Sequence, residues 1–163
     1  MSKITTNESF ISALASLSLV EQRLVGANFI KNVLDLTEDK HIIHAQSIAA
    51  TSGATAEDLH EAYHSVHASY VKTNPRSDMH ALVWEKQAEH FVAEACMACL
   101  APAYPEATTH HLAQRVSMYC LMARTCASIN HEGDYPTFET SEDAIKREVD
   151  EQYRIVSDFL ENQ

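Results

Sequence analysis

The chain of 163 residues has a net charge of −11, with 12 lysines and arginines against 23 aspartates and glutamates. That balance excludes broad, non-specific attraction to nucleic acid or anionic lipid, which basic side chains drive. A hydrophobic content of 45% excludes wholesale disorder, and three glycines with four prolines are too few for a turn-rich β fold.

The expected class is therefore all-α, with about six helices. A helix-turn-helix-like N-terminal unit over residues 1–73 packs on a C-terminal helical bundle over 78–163, as two units or as one continuous domain. Residues 1–7 read as frayed. Asn7 or Ser9 is a candidate cap for a short first helix, and Ser18-Leu-Val-Glu21 has capping-box spacing for a stronger one. Leu19, Leu24, Ala27, Phe29, Ile30, Val33 and Leu34 give that helix a broad apolar stripe, ending near Leu36. Thr37, followed by Glu38 and Asp39, predicts the next N-cap, and Gly53 predicts a left-handed stop to the helix that follows. Thr55, with Glu57 and Asp58 in the first turn, restarts the helix. Leu59, Tyr63, Val66 and Tyr70 then form one apolar seam.

Asn74-Pro75 marks a soft boundary, since proline disfavours helix in the residue before it. Asp78 predicts the cap of the next helix, which carries Ala88, Phe91, Val92, Ala95, Cys96, Cys99 and Leu100. Pro102 and Pro105 bracket a turn, and Thr108 or Thr109 caps the helix beyond it. From Val116 to Ile129 the only charge is Arg124. A helix so apolar at nearly every angle is central or covered by a partner, which predicts a homodimer built on this helix or the one before it. After a polar loop from Asn130 to Thr140, a last helix capped by Thr140 or Ser141 sets Ile145, Val149, Tyr153, Val156 and Leu160 on one side. Glu132 to Gln163 hold ten acids and three bases, −7 of the total. The acidic side faces solvent or a protein partner.

Within this order Ile48-Ala49, Gly53 and Leu59 give I-A-x3-G-x5-L. A small alanine lets two helices cross closely, and a glycine can take the positive φ of a tight turn. Over residues 21–63 the chain resembles the DNA-binding half of tetracycline-repressor-type regulators, with Glu21 to Leu36 as the preceding helix. The resemblance implies an all-α transcription regulator whose C-terminal helical domain binds a ligand and dimerises. The chain departs from that pattern at His60, where the family has an aromatic, and its helix runs on to Tyr70. Glu57, Asp58 and Glu61 meet no base until Lys72, so the reading helix would set three carboxylates against phosphates. Nucleic acid is not an expected partner.

Five of the ten histidines lie between Lys40 and Tyr70: His41, His44, His60, His64 and His67. On a helical wheel Glu57, His60, Glu61, His64 and His67 occupy one stripe about 120° wide. Glu57-x-x-His60 and Glu61-x-x-His64 have the spacing of carboxylate-bridged metal sites in bundles. His60, Glu61, His64 and His67 are therefore candidate ligands for a divalent metal. A solvated face and a pH-responsive interface remain the other two readings, since imidazoles titrate near neutrality. Cys96 and Cys99 share a helical face, and with His110 across a short turn they form a second candidate metal set. Cysteines in apolar runs also pack as small hydrophobes.

No glycine-rich phosphate loop, nucleophile elbow or P-loop occurs in the sequence, and no arrangement of serine, histidine and aspartate specifies a triad. The expectation is a soluble, non-catalytic protein of interaction or regulatory type. The alternatives are the repressor-like regulator and a metal-binding helical bundle. No apolar run is long enough to span a membrane, the N-terminus is a poor signal peptide, and the four cysteines read as reduced thiols. The expected compartment is the cytoplasm.

Overall fold

The computed structural model describes residues 3–74, 84–101, 111–129 and 141–163. Among these the chain forms seven α-helices and one short 3-10 turn, with no strand. In chain order they are α1 (Asn7–Ala15), α2 (Leu19–Val33), the 3-10 turn (Leu34–Leu36), α3 (Lys40–Ala49), α4 (Ala56–Thr73), α5 (Trp84–Leu100), α6 (Leu112–Ser128) and α7 (Ser141–Glu161). The expected caps Asp78, Thr108, Thr109 and Thr140 lie outside the described residues. So do Pro75, Pro102, Pro105, His110 and the loop Asn130–Thr140.

The helix starts follow side-chain chemistry closely. Thr6 caps α1 in a reciprocal box with Ser9, so Ser9 is the third helical residue and neither it nor Asn7 is the cap. The segment before it is tied down: Ile4 is buried, and its amide donates to Ser157 Oγ at 3.4 Å. The expected fraying therefore stops short of Ile4. Ser18 and Glu21 form the predicted box at α2, and Thr55 forms one with Asp58 at α4. At α3 the cap is Asp39, which accepts from the His41 amide. Thr37 sits two residues earlier, where its hydroxyl accepts from the Asp39 amide and donates to Glu89 Oε2 of α5 at 2.7 Å.

The end of α3 has a different cause from the one its glycine suggests. Gly53 does not adopt a positive φ, and a Cβ placed on it would meet nothing within 4 Å. Instead the buried Arg23 of α2 donates through Nη1 to the carbonyls of Ala49 and Thr51. A guanidinium at a helix C-terminus satisfies orphan carbonyls and complements the negative end of the dipole. Arg23 thus caps α3.

Helix α2 runs through the centre. Val25, Ala27, Phe29, Ile30 and Val33 have no exposed surface. Gly26 sits at a close approach: a Cβ there would lie 3.2 Å from Cys99 Sγ of α5 and 3.4 Å from Val116 Cγ2 of α6, tight contacts that those side chains would have to yield to. The bare backbone lets three helices meet. Helix α5 packs most extensively on α6 and then on α4, while α6 also packs on α2 and α7. Buried residues from both sequence units, from Ile4 to Val156, form one core cluster. On α6 the fully buried residues are Ala113, Val116, Cys120 and Ala123, while Met118 and Met122 are exposed. Leu121 is half-buried, so the centre of the core is α2 rather than α6.

Candidate functional site

The histidine stripe lies on the outer face of α4. His60, Glu61, His64 and His67 are all exposed, while Ala62, Val66, Ser69 and Thr73 face inward. Leu59, Tyr63 and Tyr70 pack against the edge of the core, so the seam read from the sequence marks the boundary of the buried face. Side chains four residues apart stack along a helix. His60 and His64 accordingly approach to 3.0 Å between their Nε2 atoms, with ring centroids 4.3 Å apart and planes at 82°. His67 lies elsewhere, between the rings of Tyr63 at 6.5 Å and Tyr70 at 6.1 Å. Of the four predicted ligands the structure brings two together. Among the described residues no three His, Cys, Asp or Glu side chains converge on one point.

Tyr70 continues this aromatic series inward. It stacks on His90 of α5 at 4.4 Å, and His90 in turn meets Phe91 edge-on at 6.2 Å. His90 is buried and its Nδ1 lies 3.2 Å from Thr73 Oγ1. Burial holds its pKa below the ordinary histidine value, with the nearby Glu94 carboxylate and a backbone contact with Tyr70 working the other way. Beside this stack a small cleft of about 200 Å³ opens between α4, α5 and α6, walled by Tyr63, Tyr70, Met97 and Tyr119 with Glu94 and Arg115 at its edge.

The cysteine pair is core. Cys96 and Cys99 are each 1% exposed, and the Cys99 thiol donates to the Arg23 carbonyl at 3.3 Å. Burial raises both thiol pKa values, that of Cys99 to about 12. A thiol so hard to ionise is a poor nucleophile at neutral pH. Cys120 is raised in the same way, and all four cysteines are free. His110, the third member of that set, is outside the described residues.

One polar cluster escaped the sequence pattern. Glu148 of α7 is 2% exposed, in the interface between α7, α2 and α6. Asn32 Nδ2 donates to its Oε2 at 2.8 Å, Gln152 Nε2 donates to its Oε1 at 3.2 Å, and Arg124 Nε lies 3.6 Å from Oε2. Arg124 also grips Asp35 through two parallel bonds of 2.8 and 2.9 Å and donates to the Asn32 carbonyl at 2.8 Å. Gln152 in turn accepts from Ser117 Oγ at 2.6 Å and donates to the Ser117 carbonyl at 3.1 Å. Burial raises the Glu148 pKa, partly offset by Gln152, Arg124 and Asn32, while the Arg124 hydrogen bond holds Asp35 below its usual value. Both oxygens of Glu148 have partners on the packed helices. The cluster joins helices. A groove of about 530 Å³ runs over it, and shares Asn32 and Glu151 with a second of about 740 Å³ between α2 and α7. Lys31, Arg154, Glu151 and Asp158 line the second with both signs of charge, a poor fit to an anion or a cation alone.

Neither a protein-family model, nor a curated protein, nor a solved structure matches this chain. Among the described residues no helix is long and apolar enough to cross a membrane.

Proposed function

We propose that this chain is a non-catalytic interaction protein that associates with a second copy of itself through the exposed face of α6. One observation carries the reading: α6 has no aspartate or glutamate in a chain of net charge −11, and it exposes Met118 to 48% and Met122 to 37%. Arg124, one of its two bases, is already held by Asp35 and Glu148. Two copies of so acidic a protein repel at most surfaces, and the repulsion is weakest where carboxylates are missing. Methionines four residues apart present a flexible, polarizable stripe that adapts to a facing surface. In an isologous pair, Met118 of one copy would face Met122 of the other across the two-fold axis. Tyr119, half-buried beside them, extends the patch toward the small aromatic cleft.

The non-catalytic part rests on the polar groups. Among the described residues the most buried carboxylate is committed to helix packing, and the buried thiols are driven away from the reactive thiolate. The exposed first half of α4 carries Glu57, Asp58 and Glu61, which favours a protein partner over a nucleic acid. Sedimentation equilibrium tests the reading. The wild type should show a reversible dimer, and a Met118→Glu/Met122→Glu variant should sediment as a monomer with unchanged helicity. A wild type that stays monomeric at high protein concentration refutes it.

A further inference from the structure

We propose that His60 and His64 form a two-imidazole chelate for one divalent transition ion of the zinc, nickel or copper type on the outer face of α4. The geometry is the basis. Imidazole nitrogens bind zinc at about 2.0–2.1 Å, so two adjacent ligands of one ion at angles of about 90–110° stand about 2.9–3.4 Å apart. The two Nε2 atoms stand 3.0 Å apart. In the free protein this distance is bridged by one proton, with one ring donating to the other. Rotation about the Cβ–Cγ bonds turns both Nε2 lone pairs onto a shared ion, and the ring that had donated carries its proton on Nδ1 instead, exchanged through solvent, so both ligands are neutral imidazoles. The helix fixes the spacing in advance, because side chains at i and i+4 lie one above the other.

The surroundings suit an open site. Both imidazoles are exposed, so water can complete the coordination shell and no buried charge is created. Glu57 and Glu61 are exposed on the same half of the helix and raise the local concentration of cations. Imidazole selects transition ions over calcium and magnesium, which prefer oxygen ligands. His67 takes no part, since its ring sits between Tyr63 and Tyr70. The site needs no second copy, so it stands or falls apart from the pairing through α6.

Titration calorimetry of the untagged full chain with nickel chloride at pH 7.5 decides it, with zinc chloride as a second probe. The expected result is one equivalent bound by the wild type and by His67→Gln. His60→Gln and His64→Gln should each bind at least about tenfold more weakly, given that loss of an outer-shell partner alone costs about 10–100-fold. Each variant lies on an exposed helix face, where substitutions seldom disturb folding, and circular dichroism checks that it has not. No binding by the wild type, equal binding by His64→Gln, or equal loss in all three variants would overturn the assignment.

Discussion

The ring of Tyr70 lies over that of His90, with centroids 4.4 Å apart and planes 28° from parallel. The contact fastens the last turns of α4 to the middle of α5 and buries an imidazole whose pKa is lowered by desolvation. In the folded protein His90 therefore resists protonation, whereas in the unfolded chain it takes up a proton near its ordinary value of about 6.5. The unfolded state binds more protons below that pH, so folding stability is full above it and falls as pH drops through the depressed folded value. Urea unfolding between pH 7.5 and 5 should show this loss in the wild type. His90→Gln should be less stable at pH 7.5, through loss of the stack, with a flatter dependence on pH. An identical slope in both proteins would remove His90 as the cause.

The core has a centre that differs from the most apolar sequence. Phe29 has no exposed surface and its ring lies 6.0 Å from that of Phe10, which in turn lies 5.1 Å from Tyr153. Phe29→Ala should cost about 3–5 kcal/mol, as a large-to-small change in a sealed core does. Leu121 is only half-buried, so Leu121→Ala should cost less than about 2 kcal/mol. Paired urea titrations compare them, and a larger loss at Leu121 would move the centre back to α6.

Much of the helical order was legible because it is local. Ser18-x-x-Glu21 and Thr55 with its first-turn acids announce helix starts through bonds made within four residues, and the folded chain makes those bonds. The C-terminal side of α3 was not legible, since its stop is an arginine 26 residues away in sequence. Gly53 looked like the stop because glycine often occupies that place, yet its backbone makes no use of the freedom. Among candidate ligands, helical periodicity grouped four residues on one stripe but could not tell which rings touch. That depends on rotamers, and Tyr63 and Tyr70 flank His67 while leaving His60 and His64 paired.

On α7 the pattern misjudged the buried face. Ile145, Val149 and Tyr153 are only half-buried, and the sealed positions are Ser141, Glu148, Gln152 and Val156. Counting every carboxylate as solvent-facing turns the helix away from its true interface. The trace in the sequence is the four-residue spacing from Glu148 through Gln152 to Val156, which runs beside the apolar stripe. Glu148→Ala should therefore behave as a core mutation. It removes the acceptor of the Asn32 amide, leaves Gln152 Nε2 with the Ser117 carbonyl alone and leaves Arg124 with Asp35 and the Asn32 carbonyl, at a cost of about 1–3 kcal/mol for a donor left unsatisfied in a buried place. Glu148→Gln keeps the volume but turns one amide group toward an amide donor, so it should be intermediate. Its stability should also depend less on pH: the folded pKa of Glu148 is raised, so in the wild type this residue's contribution is greatest at low pH and declines as pH rises from the ordinary carboxylate value through the raised one. Urea unfolding of all three proteins from pH 4 to 7.5 checks both parts. If Glu148→Ala unfolds within about 0.5 kcal/mol of the wild type, as an ordinary surface substitution does, the carboxylate does not hold α7 to α2 and α6.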